Sequence, residues 1–100
     1  MNINFEYHDV SASERLEELA TEKLNKLESK YGFMVAADVY FKKENTSGES
    51  KGMISGIRIN IPGTTLFAES NAGSFEASLA KAAGEVKVQL QKKKDKMQTH

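Results

Sequence analysis

The sequence contains no cysteine and only one proline, Pro62. The absence of cysteine excludes a disulfide framework, a thiol nucleophile and a cysteine-ligated metal, so the fold needs no oxidising compartment. The chain also has no low-complexity tract, and its 100 residues provide for one hydrophobic core but not for two. We therefore expect residues 1–100 to form a single domain, with the basic tail at about 92–100 as the part most prone to fraying.

Long apolar runs and a secretory signal are absent as well. The opening MNINFEYHDV has no basic region followed by an apolar stretch, and nowhere does the apolar character extend far enough to cross a bilayer. These features predict a cytoplasmic protein that does not interact with membranes. Fourteen basic and fourteen acidic residues give a net charge of zero, so any affinity for nucleic acid must come from local asymmetry of charge.

Residue sets typical of catalysis or cofactor binding are missing. The sequence has no glycine-rich phosphate loop and no histidine pair at metal-ligand spacing. His8 and Asp9 are neighbours in an extended segment, where successive side chains point to opposite sides, and His100 is the last residue. We therefore expect no enzymatic activity, no cofactor, no metal and no small-molecule substrate.

Hydrophobic periodicity predicts six elements. Strict alternation indicates strands over Asn2–Tyr7, Val35–Lys43, Met53–Ile61 and Thr65–Ser70, and three-or-four spacing indicates helices from about Ser11 to Tyr31 and from Ser74 to Met97. The apolar stripe predicted for the last helix consists of Phe75, Leu79, Ala82, Ala83, Val86, Leu90 and Met97. A polar segment, ENTSGESKG, separates the second and third strands, and Pro62-Gly63 predicts a tight turn after the third.

The helix ends carry recognisable signals. Ser11 and Glu14 have the spacing of a capping box, S-x-x-E, and Gly32 is placed to stop the first helix. Asn71 or Ser74 can cap the last helix. Gly84 lies in the middle of that helix and costs about 1 kcal/mol relative to alanine, which suggests close approach of another helix at this position.

The element order predicts an α+β fold, β-α-β-β-β-α. The last three strands are joined by short connections and should form an antiparallel meander, whereas the first strand reaches the sheet through a helical crossover and should lie parallel to its neighbour. Two helices on one face of a four-stranded mixed sheet would enclose one core and leave the other face open. The arrangement is similar to double-stranded RNA-binding domains with an additional first strand.

Positive charge gathers towards the ends of both helices. Lysines at these positions complement the helix dipole, which explains them without any ligand, but a cluster of lysines is also the pattern that binds phosphate backbones. If the helices run parallel, the two basic ends join; if they run antiparallel, the patch splits. The candidate residues are Lys23, Lys26 and Lys30 on the first helix, Lys87, Lys92, Lys93, Lys94 and Lys96 on the second, and Arg58 and Lys42 on strands.

The open sheet face allows a different function. Alternation along the second, third and fourth strands places Tyr40, Ile54 and Phe67 on that face. There they would suit a protein partner or a second copy of the chain. Such a protein-interaction module would bind independently of salt and of the lysines. A general RNA-binding domain is a third alternative, and it would bind free duplex RNA as tightly as any larger assembly.

Nearly the whole chain resembles the ribosome hibernation-promoting factors, also called ribosome-associated inhibitors or sigma-factor modulation proteins, in their short form. The order of elements is similar, and Glu22-Lys23-Leu24-x-Lys26-Leu27-Glu28 is similar to the family run E-K-L/F-x-K/R-L-E. The ending Val86-Lys87-Val88-Gln89-Leu90-x-Lys92-Lys93-Lys94-x-Lys96 carries the resemblance further.

The resemblance implies a non-enzymatic inhibitor of translation under stress or in stationary phase. It would bind ribosomal RNA of the small ribosomal subunit in the channel for messenger and transfer RNA, most simply as a monomer. The eight helix lysines would face the RNA, and Arg58 is an additional candidate. The chain departs from the family pattern at Ser74, Glu76, Glu85 and Val88, each of which removes positive charge or a polar contact from the expected RNA face.

Overall fold

The fold follows the predicted order of six elements. A computed structural model describes residues 1–45 and 51–97, so the centre of the predicted loop and His100 lie outside the described residues. The elements are β1 (Asn2–His8), α1 (Glu14–Lys30), β2 (Ala36–Lys43), β3 (Met53–Ile61), β4 (Thr64–Ala72) and α2 (Phe75–Met97). Their bounds agree with the sequence prediction to within two or three residues.

The four strands form one mixed sheet in the order β1-β2-β3-β4. β1 pairs with β2 in parallel, and β2, β3 and β4 form an antiparallel meander. On the face towards the helices, Ile57 lies between Val39 of β2 and Ala68 of β4. The predicted α+β fold with a four-stranded mixed sheet is confirmed.

The core lies between the sheet and the two helices. Leu24 of α1 and Leu79, Val86 and Leu90 of α2 are completely buried there. The side chains of Ser55 and Ser78, 2.7 Å apart, form a buried hydrogen bond between β3 and α2, so neither hydroxyl lacks a partner. The predicted stripe of α2 is correct except at its end, because Met97 is 44% exposed.

Three predictions about the helices are wrong. Ser13, not Ser11, caps α1: its hydroxyl accepts a hydrogen bond from the backbone N–H of Leu16, so no S-x-x-E capping box forms. α1 ends at Lys30 with Tyr31 as the C-cap, and Gly32 does not take the left-handed conformation of a glycine stop. A Cβ atom added at Gly84 would have no neighbour within 4 Å, so no other helix approaches closely at that point.

Two other local signals are confirmed. The Ser74 hydroxyl accepts a hydrogen bond from the N–H of Ala77 and caps α2. Gly63 has φ +87° in the turn between β3 and β4, a conformation that glycine adopts without steric cost. The connection after β1 turns at Asp9, whose φ of 59° is among the few positive values that aspartate tolerates.

Candidate nucleic-acid interface

The two helices run in the same direction across the sheet. Near their starts, Arg15 Nη1 of α1 lies 3.3 Å from Glu76 Oε2 of α2. Near their ends, Lys94 Nζ of α2 donates to the backbone carbonyl of Lys30, 3.3 Å away. The parallel alternative of the sequence analysis is therefore correct, and the basic ends of the two helices meet.

A buried tyrosine lies where the helix ends meet. Tyr31 is completely buried, and its hydroxyl donates to Gln91 Oε1 at 2.7 Å. The ammonium groups of Lys30 and Lys94 lie 5.5 and 5.6 Å from the centre of its ring. Attraction between a cation and an aromatic ring favours this arrangement, which holds two like charges beside one side chain.

Two further lysines continue this arrangement along the helices. Lys23 precedes Lys30 by seven residues, and Lys87 precedes Lys94 by the same number. Seven residues are close to two helical turns, so each lysine shares a flank with its later partner. The facing flanks of α1 and α2 are therefore basic over their C-terminal halves, whereas Arg15 and Glu76 form an ion pair between the starts of the two helices.

The remaining lysines of α2 surround its end. Lys92 and Lys96 are exposed, whereas Lys93 is half-buried against the turn between β3 and β4, near Pro62 and Met97. Lys26 of α1 is exposed and pairs with Glu22, with 3.4 Å between the charged atoms. We call these eight lysines the basic pole: Lys23, Lys26, Lys30, Lys87, Lys92, Lys93, Lys94 and Lys96.

Arg58 is separate from the basic pole. It lies on the open face of the sheet, where its guanidinium stands 3.8 Å from Asp38 Oδ2 and 5.9 Å from the centre of the Phe67 ring. The helices cover the opposite face. The structure therefore places the eight lysines on the two helices, with Lys30 and Lys94 in contact at the helix ends, and leaves Arg58 and Lys42 together on the other side of the sheet.

The open face is polar with an aromatic centre. The rings of Tyr40 and Phe67 are stacked with centres 6.4 Å apart, and Phe67 is 45% exposed. The Tyr40 hydroxyl donates to the carboxylate of Glu69. The expectation that Ile54 is exposed on this face is wrong: Lys42 and Asn71 stand directly opposite it on the neighbouring strands, and Ile54 is only 4% exposed.

Sequence reasoning did not identify Tyr31 or Gln91 as part of the interface. Tyr31 was predicted as the last residue of the first helix; it is completely buried, and its contact with the end of α2 depends on tertiary packing. The sequence does contain a signal for the orientation of Gln91. Asp95 follows it by four residues, a spacing that allows a side-chain hydrogen bond along a helix, and Gln91 donates to that carboxylate at 2.9 Å.

Groups suited to other functions are not found in the described part of the chain. Residues 1–45 and 51–97 contain no cluster of three or more histidine or acidic side chains able to hold a metal ion. Within the same ranges, neither helix combines the length and the apolar character that a membrane span requires.

The structure is thus a small two-layer α+β domain with lysines concentrated at the ends of its two helices. Residues 3–98 match the family described as Sigma 54 modulation protein / S30EA ribosomal protein. The chain belongs to this family, which is non-enzymatic, in agreement with the expected absence of catalysis. The resemblance to hibernation-promoting factors is thereby confirmed.

Solved structures of other proteins share the fold. A ribosomal subunit interface protein from Coxiella burnetii is 21% identical with a TM-score of 0.80, and the alignment covers 95% of this chain and 99% of that one. The N-terminal domain of Protein Y from Thermus thermophilus is 18% identical with a TM-score of 0.78, covering 92% of this chain and 98% of that one. At these identities the likeness concerns the fold alone. A search of curated proteins gave no significant match.

Proposed function

We propose that this protein binds the ribosome, and specifically ribosomal RNA of the small subunit, through the basic pole. By occupying the channel for messenger and transfer RNA it blocks translation in the cytoplasm under stress or in stationary phase. The protein acts as a monomer and without catalysis. Membership of a family named for a ribosomal protein and the fold shared with a ribosomal subunit interface protein support this proposal.

The observation that carries the proposal is the convergence of Lys30 and Lys94 beside Tyr31. Two ammonium groups near one ring repel each other, and a phosphate group between or beside them relieves that repulsion. Lysines concentrated at one end of a neutral protein create the local positive potential that attracts a polyanion. The hydrogen bond from Lys94 to the Lys30 carbonyl fixes the geometry before RNA binds.

The proposal predicts strong dependence on salt. Each lysine that replaces a counterion on the RNA contributes about 0.7 to 0.9 to the slope of log affinity against log salt concentration. A pole that makes about five phosphate contacts therefore gives a slope of about −3.5 to −4.5. Glutamine at both Lys30 and Lys94 should make the slope shallower by about 1.4 to 1.8.

The test is co-sedimentation of the purified protein with separated small and large ribosomal subunits over a salt series. We expect the protein to pellet with the small subunit, and the Lys30→Gln/Lys94→Gln variant to bind more weakly and with the shallower slope. The matched control is Lys43→Gln/Lys51→Gln, which removes two exposed lysines at the opposite end of the sheet. The same variants added to a translation reaction test inhibition directly.

Two results would refute the proposal. The first is failure of the wild-type protein to pellet with small subunits at low salt. The second is an equal loss of binding in the two double variants, because binding would then depend on the number of lysines and not on their position in the basic pole. Circular dichroism of each variant checks that the fold is retained.

The open sheet face supports a second candidate function, a protein-interaction module. The supporting observation is the stacked pair of Tyr40 and Phe67, with Phe67 45% exposed in the middle of a polar face. This function predicts binding to a protein partner that tolerates salt, is lost in Phe67→Ala and is unchanged in Lys30→Gln/Lys94→Gln.

A further inference from the structure

The charges of α1 are divided around the helix as well as along it. The flank towards α2 carries Arg15, Lys23 and Lys30, as their contacts and spacing show. The opposite flank faces β1: the Tyr7 hydroxyl of β1 donates to Glu17 Oε2 at 2.8 Å, and Glu28 Oε2 lies 3.7 Å from the N-terminal ammonium group. α1 therefore presents a basic flank to one side and an acidic flank to the other.

A groove of about 740 Å³ lies along the acidic flank. Phe5 of β1, half-buried at the margin of the core, contributes its apolar surface to this groove. Glu14, Glu17, Glu18 and Glu22 of α1 line it, and Lys26 is the cation among the lining residues. We call this feature the acidic groove; it combines an apolar surface with a negatively charged wall.

The groove runs beside an open strand edge. β1 is a terminal strand of the sheet, and β2 is its only strand partner in the described residues. Alternate residues of a strand paired on one side direct their N–H and C=O groups away from the partner, so one edge of β1 offers free hydrogen-bonding groups. The side chains of β1 on the open face are Asn2, Asn4, Glu6 and His8, and none of them is a lysine or proline that would protect the edge.

The other edge of the sheet, formed by β4, is partly covered by a helix side chain. Gln89 of α2 donates its side-chain N–H to the backbone carbonyl of Phe67 in β4 at 2.7 Å. The hydrogen bond from Gln89 thus satisfies one backbone carbonyl group on the outer edge of the terminal strand β4. In the part of the chain that the structure describes, no helix side chain makes a corresponding hydrogen bond to the backbone of β1.

We propose that the acidic groove and the edge of β1 together bind an extended, basic peptide segment of another protein. The peptide adds as a strand beside β1, its lysine or arginine side chains pair with the carboxylates of α1, and an apolar side chain packs on Phe5. Charge complementarity selects this partner, because the wall carries four carboxylates against one ammonium group. β1 has seven residues, enough for a peptide of about six. Lys26 is the one residue that lines the groove and was also counted in the basic pole; the carboxylates and the edge of β1 lie outside the pole, and the binding proposed here does not depend on the proposed ribosome binding.

The test uses the isolated protein and a fluorescent eight-residue peptide, the lysine-valine peptide, with lysine and valine alternating at its odd positions and threonine at its even positions. Alternate side chains of a strand share a face, so both its lysines and its valines can face α1 and Phe5. Fluorescence anisotropy should show saturable binding at low salt, and a glutamate-valine peptide of the same length should not bind. Methylation of one set of alternate backbone nitrogens in the lysine-valine peptide should abolish binding and methylation of the other set should not, since only one set of N–H groups faces β1. Unchanged binding in both methylated peptides would overturn strand addition.

Two charge variants test the location. Glu14→Lys/Glu18→Lys should weaken peptide binding about two- to thirtyfold, because two exposed ion pairs are worth about 0.2 to 1 kcal/mol each. The matched control, Glu44→Lys/Glu85→Lys, changes charge by the same amount at exposed positions that neither belong to β1 nor line the groove, and should have a smaller effect. Equal effects of the two variants would overturn the assignment.

Nuclear magnetic resonance provides an independent readout. Peptide binding should shift the amide signals of Ile3–Tyr7 and of the first half of α1, and should leave those around Tyr31 and Lys94 unchanged. Shifts confined to the basic pole, or no binding of the wild-type protein at millimolar peptide, would refute the proposal. Tighter binding of an RNA oligonucleotide to β1 and α1 than of the lysine-valine peptide would also refute it.

Discussion

Tyrosine has two different roles in this protein. Tyr31 is buried at the meeting point of the helix ends, where its ring lies near two lysines and its hydroxyl is bound to Gln91. Tyr40 lies on the open face of the sheet, where its ring covers Gly56 so closely that a Cβ at that position would collide with it. The same residue type thus supports a charged surface in one place and packs over a glycine in the other.

The phenol of Tyr40 makes the free energy of unfolding depend on pH in the alkaline range. Burial, then the hydrogen bond to Glu69 and the negative charge of that carboxylate, raises the pKa of Tyr40 well above its ordinary value of 10.0. Above pH 10.0 the unfolded chain loses this proton while the folded protein retains it, so the free energy of unfolding decreases as pH rises towards the folded pKa. Below pH 10.0 the contribution is fully present.

We expect Tyr40→Phe to lose part of this pH dependence. Urea unfolding at intervals between about pH 8 and pH 11 should show a steeper loss of stability for the wild-type protein than for the variant. Some dependence will remain in Tyr40→Phe, because burial also raises the pKa of Tyr7. Identical slopes for the two proteins would contradict the role assigned to Tyr40.

At the level of elements, the helix ends show how local signals compete. Both Ser11 and Ser13 precede α1, and the sequence spacing favoured Ser11 because Glu14 follows it by three residues. In the structure Ser13 has extended backbone angles and accepts the hydrogen bond from Leu16, so Glu14 is the first residue of the helix. A capping motif therefore indicates that a helix begins nearby and does not fix the residue at which it begins.

The two glycines Gly84 and Gly63 should respond oppositely to alanine. Both have open space at the Cβ position, but Gly84 lies within α2 and Gly63 has φ +87°. We expect Gly84→Ala to raise the free energy of unfolding by about 1 kcal/mol through helix propensity. Gly63→Ala should lower it by about 1 kcal/mol, since alanine is strained at positive φ.

Urea unfolding of the two alanine variants measures both effects, and each serves as the control for the other. A loss of stability in Gly84→Ala would mean that a neighbouring group occupies the space above α2. That result would contradict the structure, in which a Cβ atom at Gly84 has no neighbour within 4 Å.

At the level of the whole molecule, one core connects all six elements. The buried apolar residues of both helices and of β2, β3 and β4 form one continuous cluster, and Ile3, Phe5 and Tyr7 of β1 pack against its margin. Because no second core exists among the described residues, the elements depend on each other for burial. This packing supports the prediction of a single domain.

We therefore predict a single cooperative unfolding transition. Far-ultraviolet circular dichroism reports the helices and near-ultraviolet circular dichroism reports tyrosine packing, and the two signals should change together on heating. Calorimetry should give an unfolding enthalpy of about 60 to 80 kcal/mol at the midpoint, the value typical of 100 residues. Two separated transitions would show that the chain is not one domain.

The sequence alone determined the elements and their faces. Alternation of period two and spacing of three or four residues depend on local backbone geometry, so the strands, both helices, the meander and the parallel first strand were predicted correctly. Leu79 and Leu90 were assigned to the apolar stripe of the last helix for the same reason and are buried. The positions of the lysines near the helix ends were also readable, because they require only the helix boundaries.

Only the tertiary structure decided which charged residues meet. Whether the ends of α1 and α2 join depends on the relative direction of two elements far apart in the chain, and packing on the sheet made them parallel, with Lys30 beside Lys94. Packing also turned the basic flank of α1 towards α2 and the acidic flank towards β1. Arg58 was separated from the lysines because the pleat of β3 directs it away from the helices. Local periodicity fixes where a side chain lies on its own element, and the packing of elements fixes what lies opposite it.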